Sequence, residues 1–297
     1  PGYIKSCASC TGAGGSSGGG PDPCNGQGSV VYVDATNGNN TNSGRSWATA
    51  VATLQAGIDI ADECEAVKAI WVAKGTYTAS TESGYQAARD FSFVVGYKLT
   101  IQGGYPTGGG TRNFIDNPTI LDGEIQDGYE AYHVMVIYGS TETVEIDGFQ
   151  IRNGFAEGTG SVELKAGIDM PRNLGAAFYI RDATSVIVRN CVFYTNVATN
   201  KGGAIFAYNS NVTLQNCVFD NNTSGNEGSV IYAQNSSNIY LNYCTLNNNL
   251  SANGDAVVYA EYASAINTTN TIIWGSNIIY GGGGTRNTSY SLLQNGN

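Results

Sequence analysis

The sequence contains one pattern three times: VIVRNCVFYTN at 186–196, VTLQNCVFDNN at 212–222 and IYLNYCTLNNN at 239–249. Apolar residues occupy the same columns in all three copies, and Cys191, Cys217 and Cys244 recur at intervals of 26 and 27 residues. The apolar positions alternate as in strands and show no helical stripe. A period of this length is typical of a β-solenoid, in which each repeat is one coil stacked on the previous coil.

The spacing within one repeat predicts the shape of the coil. Val186 and Val188 are two residues apart, so they face the same side of a strand. Val188 and Cys191 are three apart, so the chain must bend between them if both face the interior. Asn190 and Asn216 occupy that bend, and asparagine tolerates the left-handed backbone that a tight corner requires.

A further strand follows the bend and a polar loop in each repeat. Its copies are AAFYI at 176–180, GAIFA at 203–207, SVIYA at 229–233 and AVVYA at 256–260. Three short parallel strands per coil predict an all-β fold, a parallel β-helix, whose regular coils cover residues 176–275.

Two short motifs resemble a known repeat family. FxxN occurs at 193–196 and 219–222, and GGAI at 202–205 becomes GSVI at 228–231. This pair is similar to the signatures of the polymorphic outer membrane protein repeat. Three upstream segments resemble the opening of right-handed β-helix proteins in secreted, pectate-lyase-like surface families: YVDATNGNNTNSGRSWATAVATLQAGIDIA (32–61), IWVAKGTY (70–77) and LTIQGGY (99–105). The resemblance implies a right-handed parallel β-helix from about residue 31 onward. It implies no single activity, because that fold carries adhesins, passenger domains, lyases and hydrolases.

The composition fits an extracellular or cell-surface all-β chain and argues against several other classes. The 297 residues include 40 glycines, and only 13% are charged. The net charge of −10 argues against nucleic acid and anionic membranes as partners. No apolar run reaches the ~18 residues that cross a bilayer. The chain begins with Pro1 and shows no signal peptide, which indicates a processed chain or a fragment.

Residues 1–28 are predicted to be an N-terminal arm or linker, and residues 29–297 the β-helix body, because the Gly/Ser run cannot bury apolar surface. The cysteines available for disulfides at this end are Cys7, Cys10, Cys24 and Cys64. A four-thiolate zinc site is the alternative, but only one CxxC is present. We therefore expect disulfides and no metal, with Cys24–Cys64 as the pair.

A helix is predicted over residues 46–66, with Ser46 as its N-cap. One apolar stripe supports it, formed by Val51, Leu54, Ile58 and Ala61. The end of a solenoid exposes strand edges that would recruit other chains, and a helix across that end covers them. We expect this helix to cap the N-terminal end.

Residues 154–175 interrupt the regular register and are predicted to form a long loop insertion. Loops on a rigid scaffold often carry binding residues. The charged residues that could contact a ligand there are Glu163, Lys165, Asp169 and Arg172. Mixed charge on a solvated loop is the competing interpretation, and it is the more common one.

The outward columns argue against catalysis. Inverting glycoside hydrolysis needs two carboxylates ~6.5–9.5 Å apart. One outward column reads Asp147, Arg189, Gln215, Asn242 and Thr269, with no stacked acids. His133 is the single histidine and lies in an apolar run, which favours a structural role.

The acidic residues Asp122, Glu124 and Asp127 match no calcium-loop spacing. No catalytic residue and no cofactor is therefore predicted.

Two columns have two interpretations each. Cys191, Cys217 and Cys244 are predicted to stack inside the core, as buried thiols or as a disulfide between vertical neighbours. Parallel neighbours point the same way, which favours thiols. An aromatic column on the third strand, predicted to face outward, comprises Tyr179, Phe206, Tyr232 and Tyr259. It is either a stabilising ladder or a flat platform for sugar rings or another protein.

A second outward column is apolar and is a candidate contact surface: Val192, Val218 and Ile272, interrupted by Thr245. Eight asparagines begin N-x-S/T and are candidates for glycosylation: Asn39, Asn211, Asn221, Asn222, Asn235, Asn249, Asn267 and Asn287.

Together these features favour an extracellular or cell-surface β-solenoid with a structural or adhesive role and no catalytic activity. Its expected partners are glycans or other copies of itself, joined head to tail into a fibre through an uncapped C-terminal end. The alternatives are a polysaccharide lyase or glycosidase with its site beside the 154–175 loop, and a carbohydrate-binding module that uses the aromatic column.

Overall fold

The computed structural model describes residues 24–79, 88–125, 128–164, 168–253, 256–274, 279–280 and 283–293. The predictions for Cys7, Cys10, Asp127 and Lys165 concern residues that lie outside the described ranges. The described chain is mostly β-structure, with one α-helix at Leu54–Glu63 and short 3-10 turns at Trp47–Thr49 and Ala88–Asp90.

Three sheets, each parallel throughout, form the faces of the molecule. Sheet A contains, in spatial order, Val30–Val33, Ala69–Ala73, Leu99–Tyr105, Thr143–Asp147, Ser185–Arg189, Asn211–Gln215, Asn238–Asn242, Ala265–Thr269 and Thr285–Ser289. Sheet B contains Gly75–Thr78, Thr119–Asp122, Gln150–Arg152, Val192–Tyr194, Val218–Asp220, Thr245–Asn247, Ile272–Ile273 and Leu292–Leu293. Sheet C contains Phe93–Val95, Met135–Tyr138, Phe178–Arg181, Ile205–Tyr208, Ile231–Gln234, Val258–Ala260 and Ile279–Tyr280.

Smaller elements complete the description. Sheet D is parallel and follows sheet B in four successive coils, with strands Phe155–Ala156, Val197–Ala198, Thr223–Ser224 and Leu250–Ser251. Two antiparallel pairs lie outside the coils: Ser161–Leu164 with Ile168–Pro171, and Glu124–Ile125 with Tyr129–Glu130.

The register of the strands confirms the predicted three-faced parallel β-helix. Val186 lies beside Val212, which lies beside Ile239, and all three are buried. The bend between sheets A and B has the expected left-handed backbone, with φ of 53° at Asn190 and Asn216 and 57° at Tyr243. Each coil therefore stacks on the previous coil, with equivalent residues in register.

The three repeat cysteines are buried and free, as expected of core thiols. Their sulfurs donate to carbonyl oxygens one coil earlier: Cys217 to Val188 at 3.5 Å and Cys244 to Leu214 at 3.4 Å. These acceptors share one column, so the sulfurs lie in a file along one wall of the core. Burial raises the pKa of Cys191 to about 12, which keeps that thiol protonated.

A ladder of asparagines also runs inside the core, at the last position of the FxxN motif. The Asn196 amide donates to Asn222 Oδ1, and the Asn222 amide to Asn249 Oδ1, both at 3.0 Å. All three side chains are buried. Each also satisfies backbone groups at the corner between sheets B and D, so these amides hold neighbouring coils together.

The N-terminal helix is shorter than predicted. It begins after Thr53, whose hydroxyl accepts from the Ala56 N–H at 3.3 Å. Ser46 instead precedes the 3-10 turn and makes no side-chain cap, because Val51 bridges to Val33 and holds the chain extended at that point. The helix packs against strands of sheets A and C and buries Leu54, Ile58 and Ala61 in the core.

The Cys24–Cys64 disulfide is present, with 5.2 Å between the Cα atoms. It joins residue 24 to the C-terminal end of this helix, because Cys64 is the helix C-cap residue. The bond therefore ties the segment before the first strand to the cap of the solenoid.

Candidate functional site

The aromatic column of sheet C stacks as predicted, but it does not form an open platform. Neighbouring ring centroids from Tyr179 to Phe206, Tyr232 and Tyr259 are 5.4, 5.8 and 5.2 Å apart, with interplanar angles of 13°, 5° and 7°. Tyr179, Phe206 and Tyr232 are buried, and Tyr259 is partly buried. Three of the four rings are therefore closed to a ligand, and the predicted platform is not available there.

The 154–175 insertion explains part of this burial. Its strands Ser161–Leu164 and Ile168–Pro171 pair as a hairpin, where a loop was expected. Val162 and Met170 pack with Tyr179 in a second apolar cluster outside the coil interior. Outward-facing rings are thus enclosed between sheet C and the hairpin.

The charged residues predicted on this insertion serve different purposes. Arg172 makes two 2.7 Å hydrogen bonds to the buried carboxylate of Asp90, which anchors the base of the hairpin. Glu163 and Asp169 are exposed, and the Asp169 carbonyl accepts from Arg181. Arg172 is therefore committed to an internal ion pair, and the described insertion residues do not converge on one site.

A polar group that the sequence analysis missed covers Tyr232. Lys201 donates to the Tyr232 hydroxyl at 2.6 Å and lies 4.3 Å from the ring centroid. The same ammonium lies 3.6 Å from Glu227 and 3.8 Å from Glu261. Burial, and then the neighbouring carboxylate of Glu261, raise the pKa of Tyr232. The cluster closes the outer surface of the column.

The outer face of sheet B is open and carries the groove that we take as the candidate site. Its floor is the second predicted column, in which Val192, Val218, Thr245 and Ile272 lie in register. Val218 is 37% exposed and Ile272 is 44% exposed. Together with a second column, two residues further along each repeat, these residues line a groove of about 670 Å³.

The wall of the groove is a polar and aromatic column, two residues further along each strand. It comprises Tyr194, Asp220, Asn247 and Trp274. Trp274 is 51% exposed, and its backbone N–H donates to the Leu246 carbonyl at 2.8 Å, which continues the strand pairing. Trp274 thus directly follows the strand Ile272–Ile273, and its indole side chain faces solvent. The floor of this groove was predicted from the sequence and its wall was not, although the wall residues follow the floor residues at constant spacing.

Asp220 is the charged side chain of the groove lining. Its Oδ1 accepts from Asn247 at 3.3 Å and from Asn248 at 3.2 Å, and its Oδ2 accepts from Asn221 at 2.9 Å. These three amides also line the groove. The wall therefore presents one carboxylate surrounded by amides, an arrangement suited to hydrogen bonding with hydroxyl groups.

Asp122, an acidic residue of sheet B beyond the groove, is paired. Arg152 bonds to Asp122 at 2.7 Å and to the Tyr194 hydroxyl at 3.0 Å, and Asn153 bonds to the other oxygen of Asp122. Among the described residues, no group of three or more His, Cys, Asp or Glu side chains could hold a metal ion.

His133 lies in the core, away from the groove. Its Nδ1 is 2.9 Å from the Gly175 carbonyl and donates to it when the ring is neutral. Burial lowers its pKa to about 4, so the ring is neutral at physiological pH.

The sequons fall into two groups. Five begin with exposed asparagines and one with the half-buried Asn267; the exposed ones are Asn39, Asn211, Asn221, Asn235 and Asn287. Asn222 and Asn249 belong to the inner ladder and are 0% and 2% exposed. Their burial in the folded protein argues against a glycan at these two positions, and glycosylation of the sequons stays a prediction.

No protein-family model, no curated protein and no solved structure matches this chain. The strand stacking supports a parallel β-solenoid, and the named repeat families stay a resemblance in sequence motifs. Within the described residues, no helix has the length and apolar character needed to cross a bilayer.

Proposed function

We propose that this protein is an extracellular adhesive β-solenoid that binds carbohydrate in the groove on the outer face of sheet B. The observation that carries the proposal is the open, partly aromatic groove lined by Trp274, whereas the aromatic column of sheet C is covered. Binding grooves combine apolar surface with a few polar groups that fix orientation. Valine and isoleucine side chains and an indole offer surface to the C–H faces of sugar rings, and the amides offer partners to hydroxyl groups.

The repeat supports an extended ligand. Floor and wall positions recur once per coil, and neighbouring strands are ~4.8 Å apart. A linear glycan advances by a similar distance per sugar, so successive sugars can make similar contacts on successive coils. The groove is rigid, because its strands pair on both sides and its corners are held by hydrogen-bonded asparagines.

The polar content of the groove supports binding without cleavage. Hydrolysis of a glycosidic bond ordinarily uses two carboxyl groups, and the described residues that line this groove include one carboxylate, that of Asp220. The alternative enzyme with a site beside the insertion lacks a free Arg172, since Asp90 holds that side chain.

The disulfide supports an extracellular location. Disulfides persist in oxidising compartments and are rare in the cytosol. Cys24–Cys64 joins two distant parts of the chain, as a structural bridge in a secreted protein does.

Head-to-tail self-assembly stays a prediction. Thr285–Ser289 is the last strand of sheet A among the described residues, and its side chains are all exposed. Sedimentation of the purified chain over a wide concentration range measures it: a constant monomer mass argues against a fibre.

A glycan array with three proteins tests the carbohydrate proposal: the wild type, Trp274→Ala and Tyr240→Ala. Tyr240 is a matched control, because it is a 41% exposed aromatic residue on the outer face of sheet A. We expect the wild type and Tyr240→Ala to bind the same glycans, and Trp274→Ala to lose at least tenfold in affinity. Equal binding by all three proteins, or no binding by any of them, would refute the proposal.

A further inference from the structure

The side chains that line the groove carry negative charge. Its lining, all within the described residues, includes the carboxylate of Asp220 and contains no lysine or arginine. The nearest cation in this column of sheet B is Arg152, one coil beyond Tyr194, and it is already bonded to Asp122. A negatively charged ligand would therefore meet a negative side chain with no free positive partner.

We propose that Asp220 makes this groove selective for uncharged glycans and excludes anionic ones. The inference rests on the carbohydrate function proposed above and specifies its ligand class. It depends on the position of one carboxylate in the middle of the groove, between Tyr194 on one neighbouring coil and Asn247 on the other.

The hydrogen bonds of Asp220 give it a defined role. Three amides hold the carboxylate in place, two on Oδ1 and one on Oδ2. An ionised carboxylate has about four acceptor positions, so acceptor capacity remains for a ligand hydroxyl. Carboxylate and sulfate groups of a ligand have no proton to donate, and they are repelled by the like charge. Discrimination between neutral and anionic sugars is then built into one side chain.

The whole chain adds to the same preference. Its net charge of −10 lowers the encounter rate with polyanions, and added salt screens that long-range effect. A contact between Asp220 and a bound anionic group is screened less, because it acts at short range inside the groove. The two contributions can therefore be separated by salt and by mutation.

Asp220→Asn and a charge-matched control separate the local effect from the global one. Asp220→Asn keeps the shape of the side chain and removes its charge. Asp182→Asn changes the net charge equally, but Asp182 lies at the end of a sheet C strand, bonded to Asn209 and away from the groove. Circular dichroism and thermal melting confirm that both variants fold.

The probes are neutral and anionic forms of the same polymers: hydroxyethyl- and carboxymethyl-cellulose, methyl-esterified and de-esterified polygalacturonate, and dextran and dextran sulfate. Binding is measured by biolayer interferometry at two salt concentrations. We expect the wild type and Asp182→Asn to bind at least one neutral form at least tenfold more tightly than its anionic partner. We expect Asp220→Asn to narrow that ratio to less than threefold.

Failure of this inference differs from failure of the proposed function. Binding that requires Trp274 but is equal for neutral and anionic forms, or a ratio unchanged by Asp220→Asn, overturns the selectivity and leaves the groove as the site. Binding of no polymer, or binding that Trp274→Ala leaves intact, overturns both.

Discussion

Sheets B and C both carry a column of mainly apolar side chains on the outer face, and only the face of sheet B is open to solvent. Both carry an outward column in register through several coils: aliphatic on sheet B and aromatic on sheet C. On sheet B, Val218 and Ile272 are exposed. On sheet C, Tyr179 and Tyr232 are buried, although they also point away from the coil interior.

The difference arises from what covers each outer face. Strand alternation decides which side of a sheet a residue faces, and both columns obey it. Whether the outer side reaches solvent depends on what lies over it, and on sheet C these are the paired strands Ser161–Leu164 and Ile168–Pro171 and the Lys201 cluster. An outward position in a solenoid is thus a core position wherever an insertion folds back over it.

The largest expected effect compares one aromatic residue from each face. Tyr232→Ala removes a buried ring that stacks against two neighbours, and we expect a loss of about 4 kcal/mol in the free energy of unfolding. Trp274→Ala removes an exposed ring of sheet B and should change stability by less than about 0.5 kcal/mol. Urea denaturation measures both. Similar losses in the two variants would mean that the outer faces do not differ in burial.

The next effect concerns the hairpin that covers sheet C. Met170→Ala leaves a cavity over Tyr179, and we expect a loss of about 3 kcal/mol in stability. Asp169→Ala, at the neighbouring exposed position, is the control and should be nearly neutral, because only its backbone carbonyl holds Arg181. Thermal melting of the two variants measures the difference in stability. A harmless Met170→Ala would show that the hairpin does not enclose the column.

Acid should destabilise the sheet C side through His133. The folded pKa of about 4 lies below the ordinary value of 6.5, so the unfolded chain binds a proton first as the pH falls. The stability that neutral His133 contributes is complete above pH 6.5 and falls by roughly 2 to 3 kcal/mol by pH 4.5. The charged groups that face the ring are Asp90 and Arg172, and Tyr179 lies 5.6 Å away.

The measurement is the free energy of unfolding from urea titrations between pH 7 and pH 4.5. The variant His133→Asn should lose this part of the pH dependence, while Asp90 and Arg172 stay in place. An identical pH profile in the wild type and the variant would contradict the assignment.

The smallest effect is expected on the open face. Ile272→Thr places on the groove floor the residue type already found there at Thr245, so stability should change by less than about 0.5 kcal/mol. Its neighbour Ile273 is fully buried on the inner face, and Ile273→Thr should cost several times more. Equal costs for the two adjacent isoleucines would contradict the alternation of inner and outer positions.

The repeat made much of the fold predictable. Recurring columns fix the register of parallel strands. From spacing alone, Val186 and Cys191 could be placed in the core and Asn190 at a corner. The Cys24–Cys64 pair was also predicted correctly. The bend at Asn190 brings Cys191 into the core. A second bend in each coil, at Thr195, Asn221 and Asn248, also has positive φ and brings the residue that follows it into the core. That spacing could have revealed the buried asparagine ladder, which includes Asn222 and Asn249.

Features outside the repeat were less predictable. Ser46 and Thr53 can both cap a helix, and the choice between them is made by the bridge between Val33 and Val51, a contact distant in sequence. The insertion has no second copy for alignment, so its hairpin and its cover over the aromatic column could not be inferred. The candidate groove was partly predictable, because its aliphatic floor lies in the repeat. Trp274 went unnoticed because its column also contains a tyrosine, an aspartate and an asparagine.

The asparagine ladder has a consequence for how this molecule can change in length. Asn196 donates to Asn222, and Asn222 donates to Asn249. A duplicated unit of 26 or 27 residues that carries the same asparagine would therefore extend the row with the same hydrogen bonds. The same duplication adds one more strip of floor and wall to sheet B. Duplication of this unit would therefore lengthen the outer face of sheet B in equal steps, and under the proposed function the number of coils would set the length of glycan chain that the groove can hold.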